Sequence, residues 1–259
     1  MTFRGKSSPD LKDDNTLVTE ADRQVELFLR ERLGKLAPDW SFLGEEGGLT
    51  LGANAGENGD ANIGANAGAS APCWVIDPID GTTNFVRGLP LWCVSVGAVF
   101  EGRAIFGCIA VPPLDEILWA SAGTGAWLQR QSSTGISPPL RLRVSDANAL
   151  QQEDLIACNT TAEDAVNFAG VPCRARNFGA LAYHLVALAE DALVASVARQ
   201  HQIYDIAAGV CICEEAGCVA LYLDGTEWKA EIKVERENRP LLVAPPQIMA
   251  QLLIGLQRN

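Results

Sequence analysis

Residues 73–85, CWVIDPIDGTTNF, constrain the fold more than any other stretch of this chain. The first five are apolar up to a terminal aspartate and rich in β-branched and aromatic types, so they read as a buried strand. Asp77 and Asp80 stand at its C-terminal end, with Pro78 between them to stiffen the turn. Gly81 lets the backbone approach a ligand closely, and Thr82 and Thr83 sit where they would cap a following helix. The free N–H groups of that helix's first turn would receive an anion such as phosphate. Two hard oxygen donors thus lie beside an anion-binding backbone, a pairing that suits Mg2+, Mn2+ or Ca2+ rather than soft metals. Carboxylates this close repel one another unless a cation lies between them. Taken alone, the segment has the simpler reading of a solvated Asp-Pro turn.

The rest of the chain reads as mixed α and β. Residues 19–36 form a helix with Thr19 as its N-cap and Val25, Leu27, Phe28, Leu29 and Leu33 on its apolar face. A short strand, WSFLGEE, follows Pro38. Residues 47–72, rich in Gly, Ala and Asn and containing GANAG twice, read as a mobile loop. Strands at 91–100, 104–111 and within 115–145 suggest an antiparallel meander. The second half alternates: strand 154–158, helix 161–169, helix 179–190, strand ALVASV, helix 205–216, strand CVALYL and a closing helix at 246–256. This order predicts stacked layers of sheets and helices, with a boundary near 145–150 separating residues 1–146 from 147–259.

Composition narrows the function. With 259 residues, 48% hydrophobic and 20% charged, the chain can build a sizeable core. A formal net charge of −12 speaks against nucleic acid and against anionic membranes as partners. The opening MTFRGKSSPDLKDD lacks the apolar core of a secretory signal, and no apolar run is long enough for a membrane span. The eight cysteines include no CxxC pair and several lie in apolar stretches, which points to reduced, buried thiols and a cytoplasmic setting. Cys211 and Cys213 would not face one point on a helix, so a metal site there is not expected.

Three separated motifs resemble the inositol monophosphatase family, within the lithium-sensitive, metal-dependent sugar-phosphatase superfamily. They are LVTEAD (17–22) with FLGEE (42–46), WVIDPIDGTTNF (74–85) and YDIAAGVCICEEAG (204–217). The resemblance runs from residue 12 to about residue 250 and implies an α+β fold, a layered αβαβα sandwich with the site between two subdomains. It implies a Mg2+-dependent phosphomonoester hydrolase using two or three ions, with Mn2+ as an alternative, and direct attack by water. Glu45, Asp77, the Ile79 carbonyl, Asp80 and Asp205 are the implied metal ligands. Glu45, Asp22 and Thr82 are the implied catalytic residues, holding or activating the water, and Glu46 is a supporting residue. Asp80, Gly81, Thr82, Gly179, Ala180, Leu181 and Asp205 are the implied substrate contacts. Without the resemblance, Glu45 would be a surface loop acid, Asp22 an exposed first-turn acid and Asp205 an N-cap. A small phosphorylated metabolite is the implied partner, and homodimers are common in the family.

The match departs from the family at several points. Gly179-Ala180-Leu181 stands where relatives carry Gly-Ser-Ala or Gly-Thr-Ala, and Ala198 where many inositol phosphatases have a glutamate. Tyr204 replaces a tryptophan before Asp205. Arg199 and His201 are candidates for reading a different substrate, although each reads more simply as a loop residue, and His184 as a packed core histidine. Residues 47–72 are about a dozen longer than the usual link, a length that suits either a lid or a tolerated surface insertion. The first helix of relatives has no counterpart before Lys12. The leading expectation is an inositol-phosphate phosphatase. Histidinol phosphate, nucleotide bisphosphate and fructose bisphosphate are alternative substrates, and a non-catalytic regulatory relative is the remaining class.

Overall fold

The computed structural model describes residues 10–11, 17–52, 72–133, 135–146, 148–233 and 235–257. Most of the segment read as lid or insertion, and most of the N-terminus, lie outside these residues. A ribbon pairs β1 (Asp10–Leu11) with β2 (Leu17–Val18). Thr19 then caps α1 (Glu20–Leu36), as its sequence position predicts: its side-chain oxygen accepts the Ala21 N–H at 3.1 Å.

The first sheet grows outward from one buried strand. β3 (Ser41–Gly44) and β4 (Gly48–Thr50) make a hairpin, so three residues of the stretch expected to be loop are paired. β5 (Cys73–Asp80) runs parallel to β3 and is buried along its whole length. Its register shifts between Asp77 and Asp80, so the strand extends through the DPID turn instead of ending at Asp77. After α2 (Thr82–Arg87), strands β6 (Cys93–Phe100), β7 (Arg103–Val111), β8 (Glu116–Ser121) and β9 (Ala126–Ser132) form the expected meander. The short strands β10 (Gly135–Ile136) and β11 (Leu140–Leu142) both pair with β9.

The second sheet has five strands in the order β13-β12-β14-β16-β15. They are β12 (Leu155–Cys158), β13 (Arg174–Arg176), β14 (Ala195–Ala198), β15 (Val219–Tyr222) and β16 (Leu241–Ala244). β12, β13 and β14 are parallel; β16 runs antiparallel to both β14 and β15. Helices α3 (Thr160–Glu163), α4 (Leu181–Ala189), α5 (Ile203–Ala216) and α6 (Pro246–Leu256) complete the chain. The expected helix at 161–169 stops after one turn. The Asn167 N–H turns away to the Leu256 carbonyl at 3.1 Å, at the end of α6, and a 3-10 turn at Phe168–Gly170 follows. Tertiary pairing overrides local propensity there.

Side-chain alternation stacks these elements into five layers. On β5, Cys73 and Val75 face a core shared with Leu185 of α4 and Ile206 of α5. Trp74 points the other way, into a cluster with Leu29 and Leu33 of α1, and its ring lies 4.7 Å from that of Trp40. Ile248, Met249, Leu252 and Leu256 of α6 cover the outer face of the second sheet. The result is an αβαβα sandwich with α4 and α5 as the middle layer. Gly107 lets α5 lie unusually close to the first sheet, since a side chain there would collide with the Ala208 carbonyl. Among the described residues, no helix is long and apolar enough to cross a membrane.

Candidate active site

The close approach of α5 brings its first turn over the C-terminal end of β5, and a cleft of about 500 Å3 opens there. Glu45, Asp77, Ile79, Asp80, Gly81, Thr82, Gly179, Ala180, Leu181 and Asp205 all line it. Asp22 does not line the cleft but stands behind Thr82: the Thr82 hydroxyl lies 3.4 Å from Asp22 Oδ1.

Each carboxylate is held by identifiable backbone. Asp77 is nearly fully buried, and its Oδ1 accepts the Ile79 N–H at 3.1 Å, closing the bulge at the end of β5. Asp80 faces α4, where Oδ1 accepts Leu181 N–H at 3.0 Å and Oδ2 accepts Ala182 and Tyr183 N–H at 2.6 and 3.3 Å. A carboxylate at a helix N-terminus satisfies the orphan donors of that first turn. The Leu181 N–H is therefore already committed to Asp80. Asp205 occupies the third position of α5, and its Oδ2 accepts the Gln202 N–H at 2.7 Å. It is thus not the N-cap itself. Glu45 follows β3, and its N–H donates to the Ile76 carbonyl at 3.1 Å, next to Asp77.

Gly81 is the N-cap of α2, at φ +87°, so neither threonine takes the capping role that the sequence suggests. The Thr82 hydroxyl instead lies 3.0 Å from the Ile79 carbonyl and 3.4 Å from Asp22. Asp22 is fully buried, not an exposed first-turn acid, and its Oδ2 accepts both the Thr19 N–H at 2.8 Å and the Thr19 hydroxyl at 2.6 Å.

This concentration of acid raises proton affinities. Burial, then repulsion from Glu45, Asp80 and Asp205, holds the Asp77 carboxyl well above the usual range. Burial lifts Asp205 to about 8. It lifts Asp80 only to about 6, because the three N–H groups of α4 favour its charged form. Burial also raises Asp22. Among the described residues, no three acidic, His or Cys side chains close on one point as they do around a bound ion. The convergence is of four carboxylates and one carbonyl around the wall of one cleft, a donor set suited to hard divalent cations.

The opposite wall is of different chemistry. Asn159, Thr160, Asn177, Gln200 and Gln202 supply uncharged hydrogen-bonding groups, and Arg236 a cation. Arg236, from the segment before β16, and Asn159, the N-cap of α3, carry no local pattern that singles them out from sequence. Asn84 was also missed, although it lies within the TTNF segment. Its Nδ2 donates to the Leu91 and Phe178 carbonyls at 2.6 and 2.7 Å, tying α2 to the Gly179 segment. His201 is buried and lines the cleft, bridged to Glu237, and is no mere loop residue. His184 is buried as expected, and its Nε2 accepts the Phe178 N–H at 3.1 Å. The Arg199 side chain turns instead to the Asn238 carbonyl at 3.1 Å.

A layered sandwich with a carboxylate-lined cleft beside a helix start is the architecture of a phosphate-ester hydrolase of the sugar-phosphatase type. The comparisons agree. The model of the inositol monophosphatase family matches residues 2–259, and the chain belongs to that family. It is 33% identical over 225 residues to a histidinol-phosphatase of Mycobacterium tuberculosis, covering 83% of this chain and 78% of that one. It is 32% identical over 263 residues to the inositol-1-monophosphatase SuhB of the same species, covering 98% and 81%. Among solved structures, a Thermotoga maritima IMPase superposes with a TM-score of 0.77 at 25% identity, covering 97% of this chain and 88% of that one. The chain is a phosphoric monoester hydrolase of this family.

Proposed function

We propose that the chain hydrolyses a small, hydroxyl-rich phosphate monoester, an inositol phosphate first of all. In this reading Glu45, Asp77, the Ile79 carbonyl, Asp80 and Asp205 hold two or three Mg2+ ions, with Mn2+ as a substitute. The observation that carries it is the set of four carboxylates lining one cleft, three of which, Asp77, Asp80 and Asp205, hold their protons more tightly than free carboxyls do. Such a set is stable only when protonated or when cations lie among its members. The family is metal-dependent. Bound divalent ions would lower the pKa of the attacking water, polarise the phosphoryl group and neutralise the leaving oxygen.

The chain's own residues orient the reaction. A hydroxyl has one proton, so Thr82 donates either to the Ile79 carbonyl or to Asp22. When it donates to Asp22, a lone pair on its oxygen remains to accept a hydrogen bond from the attacking water, and as the water's proton moves to the hydroxyl the hydroxyl's own proton passes to the Asp22 carboxylate. Asp22 is fixed for this by both bonds from Thr19. The N–H groups of the α2 start, at Gly81 and Thr82, hold phosphoryl oxygens. Glu45 steadies the water on the far side of phosphorus from the leaving alcohol. Attack is in line and direct, with no phosphoenzyme, and depends mainly on positioning and charge neutralisation.

Substrate choice falls to the opposite wall, with Asp80, Gly179, Ala180, Leu181 and Asp205 bordering the leaving group. Its amides and hydroxyls suit a polyol. The likeness to a histidinol-phosphatase supports a second reading. Ala198, standing where many inositol phosphatases carry a glutamate, also favours it; against it, a substrate ammonium would meet the cation of Arg236. Bisphosphates come next, because Arg236 would meet their second phosphate. The eight free thiols fit a reducing, cytoplasmic setting. Comparing kcat/KM for inositol 1-phosphate, histidinol phosphate, fructose 1,6-bisphosphate and adenosine 3',5'-bisphosphate tests the order. Inositol 1-phosphate should exceed histidinol phosphate by about tenfold or more, as one unfavourable ammonium–Arg236 contact implies. The reverse order would overturn the polyol reading.

A further inference from the structure

We infer that Glu26, locked by Arg30, is the residue that positions Glu45 to bind metal; the inference rests on the reading of Glu45 given above. Glu26 lies on α1 with only 2% of its surface exposed. A carboxylate so deeply placed must find partners. It finds them in the turn that carries Glu45. Oε2 accepts the Glu46 N–H at 2.8 Å, and Oε1 accepts the Gly47 N–H at 2.8 Å. The two N–H groups immediately after Glu45 thus close on one buried anion, as in the backbone nests that bind free anions.

Arg30, one helical turn on, makes the arrangement rigid. Its Nε donates to Glu26 Oε1 at 2.7 Å, and its Nη2 and Nη1 reach the Gly48 carbonyl at 2.7 Å and Thr50 Oγ1 at 3.3 Å. One Glu–Arg pair therefore ties α1 to the β3–β4 turn and to both ends of β4. Glu45 is fixed from the other side as well, through its own N–H on the Ile76 carbonyl. The glycines of GEEGG make room for this: a Cβ on Gly47 would stand 2.6 Å from Glu26 Oε1, and one on Gly44 would overlap the same carboxylate. Groups that orient a metal ligand change metal affinity about tenfold to a hundredfold when removed. Glu26 is not among the residues that line the cleft, so it is a positioning residue.

The test separates positioning from stability. Titration calorimetry with MgCl2 alone on the EDTA-stripped full chain gives the metal affinity, and the Mg2+ half-saturation of kcat gives its kinetic counterpart. Glu26→Gln keeps the shape but turns an amide NH2 against one loop N–H. It should weaken Mg2+ binding about tenfold to a hundredfold and raise the half-saturation in parallel, with KM for substrate little changed at saturating Mg2+. Arg30→Met should shift both in the same direction by less. A lowered Tm with unchanged Mg2+ affinity overturns the inference and leaves Glu26 a purely structural anchor. Should Glu26→Gln not fold, Gly47→Ala presses a methyl on the same contact, and unchanged Mg2+ affinity there is equally decisive against it. If the unmodified chain neither binds Mg2+ nor releases phosphate with it, the reading of Glu45 falls, and the inference with it.

Discussion

Asp80 serves two ends of the molecule at once, and its replacement should show both. It lines the cleft while accepting three N–H groups from α4. Asp80→Asn keeps one acceptor oxygen and sets an NH2 against the remaining donors, at a cost of about 1–3 kcal/mol. Its kcat should fall about a hundredfold or more, the scale of losing one preorganised charge in a site. Near-normal turnover with Mg2+ would contradict the assignment. The histidines give a second residue-scale expectation, and the chain has only two. Burial lowers both His184 and His201 from 6.5 to about 4, with Glu237 partly opposing this at His201. The unfolded chain takes up these protons near 6.5, while the folded one refuses them until about 4. The stability they allow is therefore complete above 6.5 and is lost as pH falls through this window. Two imidazole NMR resonances should stay flat down to about pH 5; a midpoint near 6.5 in either would contradict its burial. Asp77, Asp80 and Asp205 were legible in the sequence because each sits in a compact local motif. Glu26 and Arg236 were not, because their partners are distant: Glu26 meets Glu46 across 20 residues.

The elements show where local pattern suffices and where it does not. α1, β5, the meander and α5 were readable from periodicity, since each buries an apolar face of regular period. β13 and β16 were not: RAR is exposed, and LLVA is a four-residue run between prolines that gains its strand only by pairing with β14 and β15. The one-turn α3 was over-read for the converse reason, its backbone being diverted to α6. The turn from β5 into α2 depends on Gly81. It has φ +87°, and a Cβ would stand 2.9 Å from both the Ala180 Cβ and the Leu91 carbonyl. Gly81→Ala should cost at least about 1–2 kcal/mol from handedness alone and lower Tm by several degrees. By tilting the start of α2 it should also raise KM. A variant with unchanged Tm and KM would show that the turn tolerates a side chain.

At the scale of the whole molecule, the sandwich stacks two sheets on a shared helical layer and collects acid at one rim. An assembly that gathers Glu45, Asp77, Asp80 and Asp205 in one cleft works against its own electrostatics until cations enter. Mg2+ should therefore both stabilise the fold and switch on chemistry. At about a hundred times its Kd it would add about 2.7 kcal/mol of stability. The most direct measurement is phosphate release from inositol 1-phosphate by the purified, EDTA-stripped chain, with and without added Mg2+, on protein shown to be folded. Release only in the presence of Mg2+ is the expected result. Equal release without any divalent ion, or none with it from this and the other three substrates, would contradict a metal-dependent phosphatase.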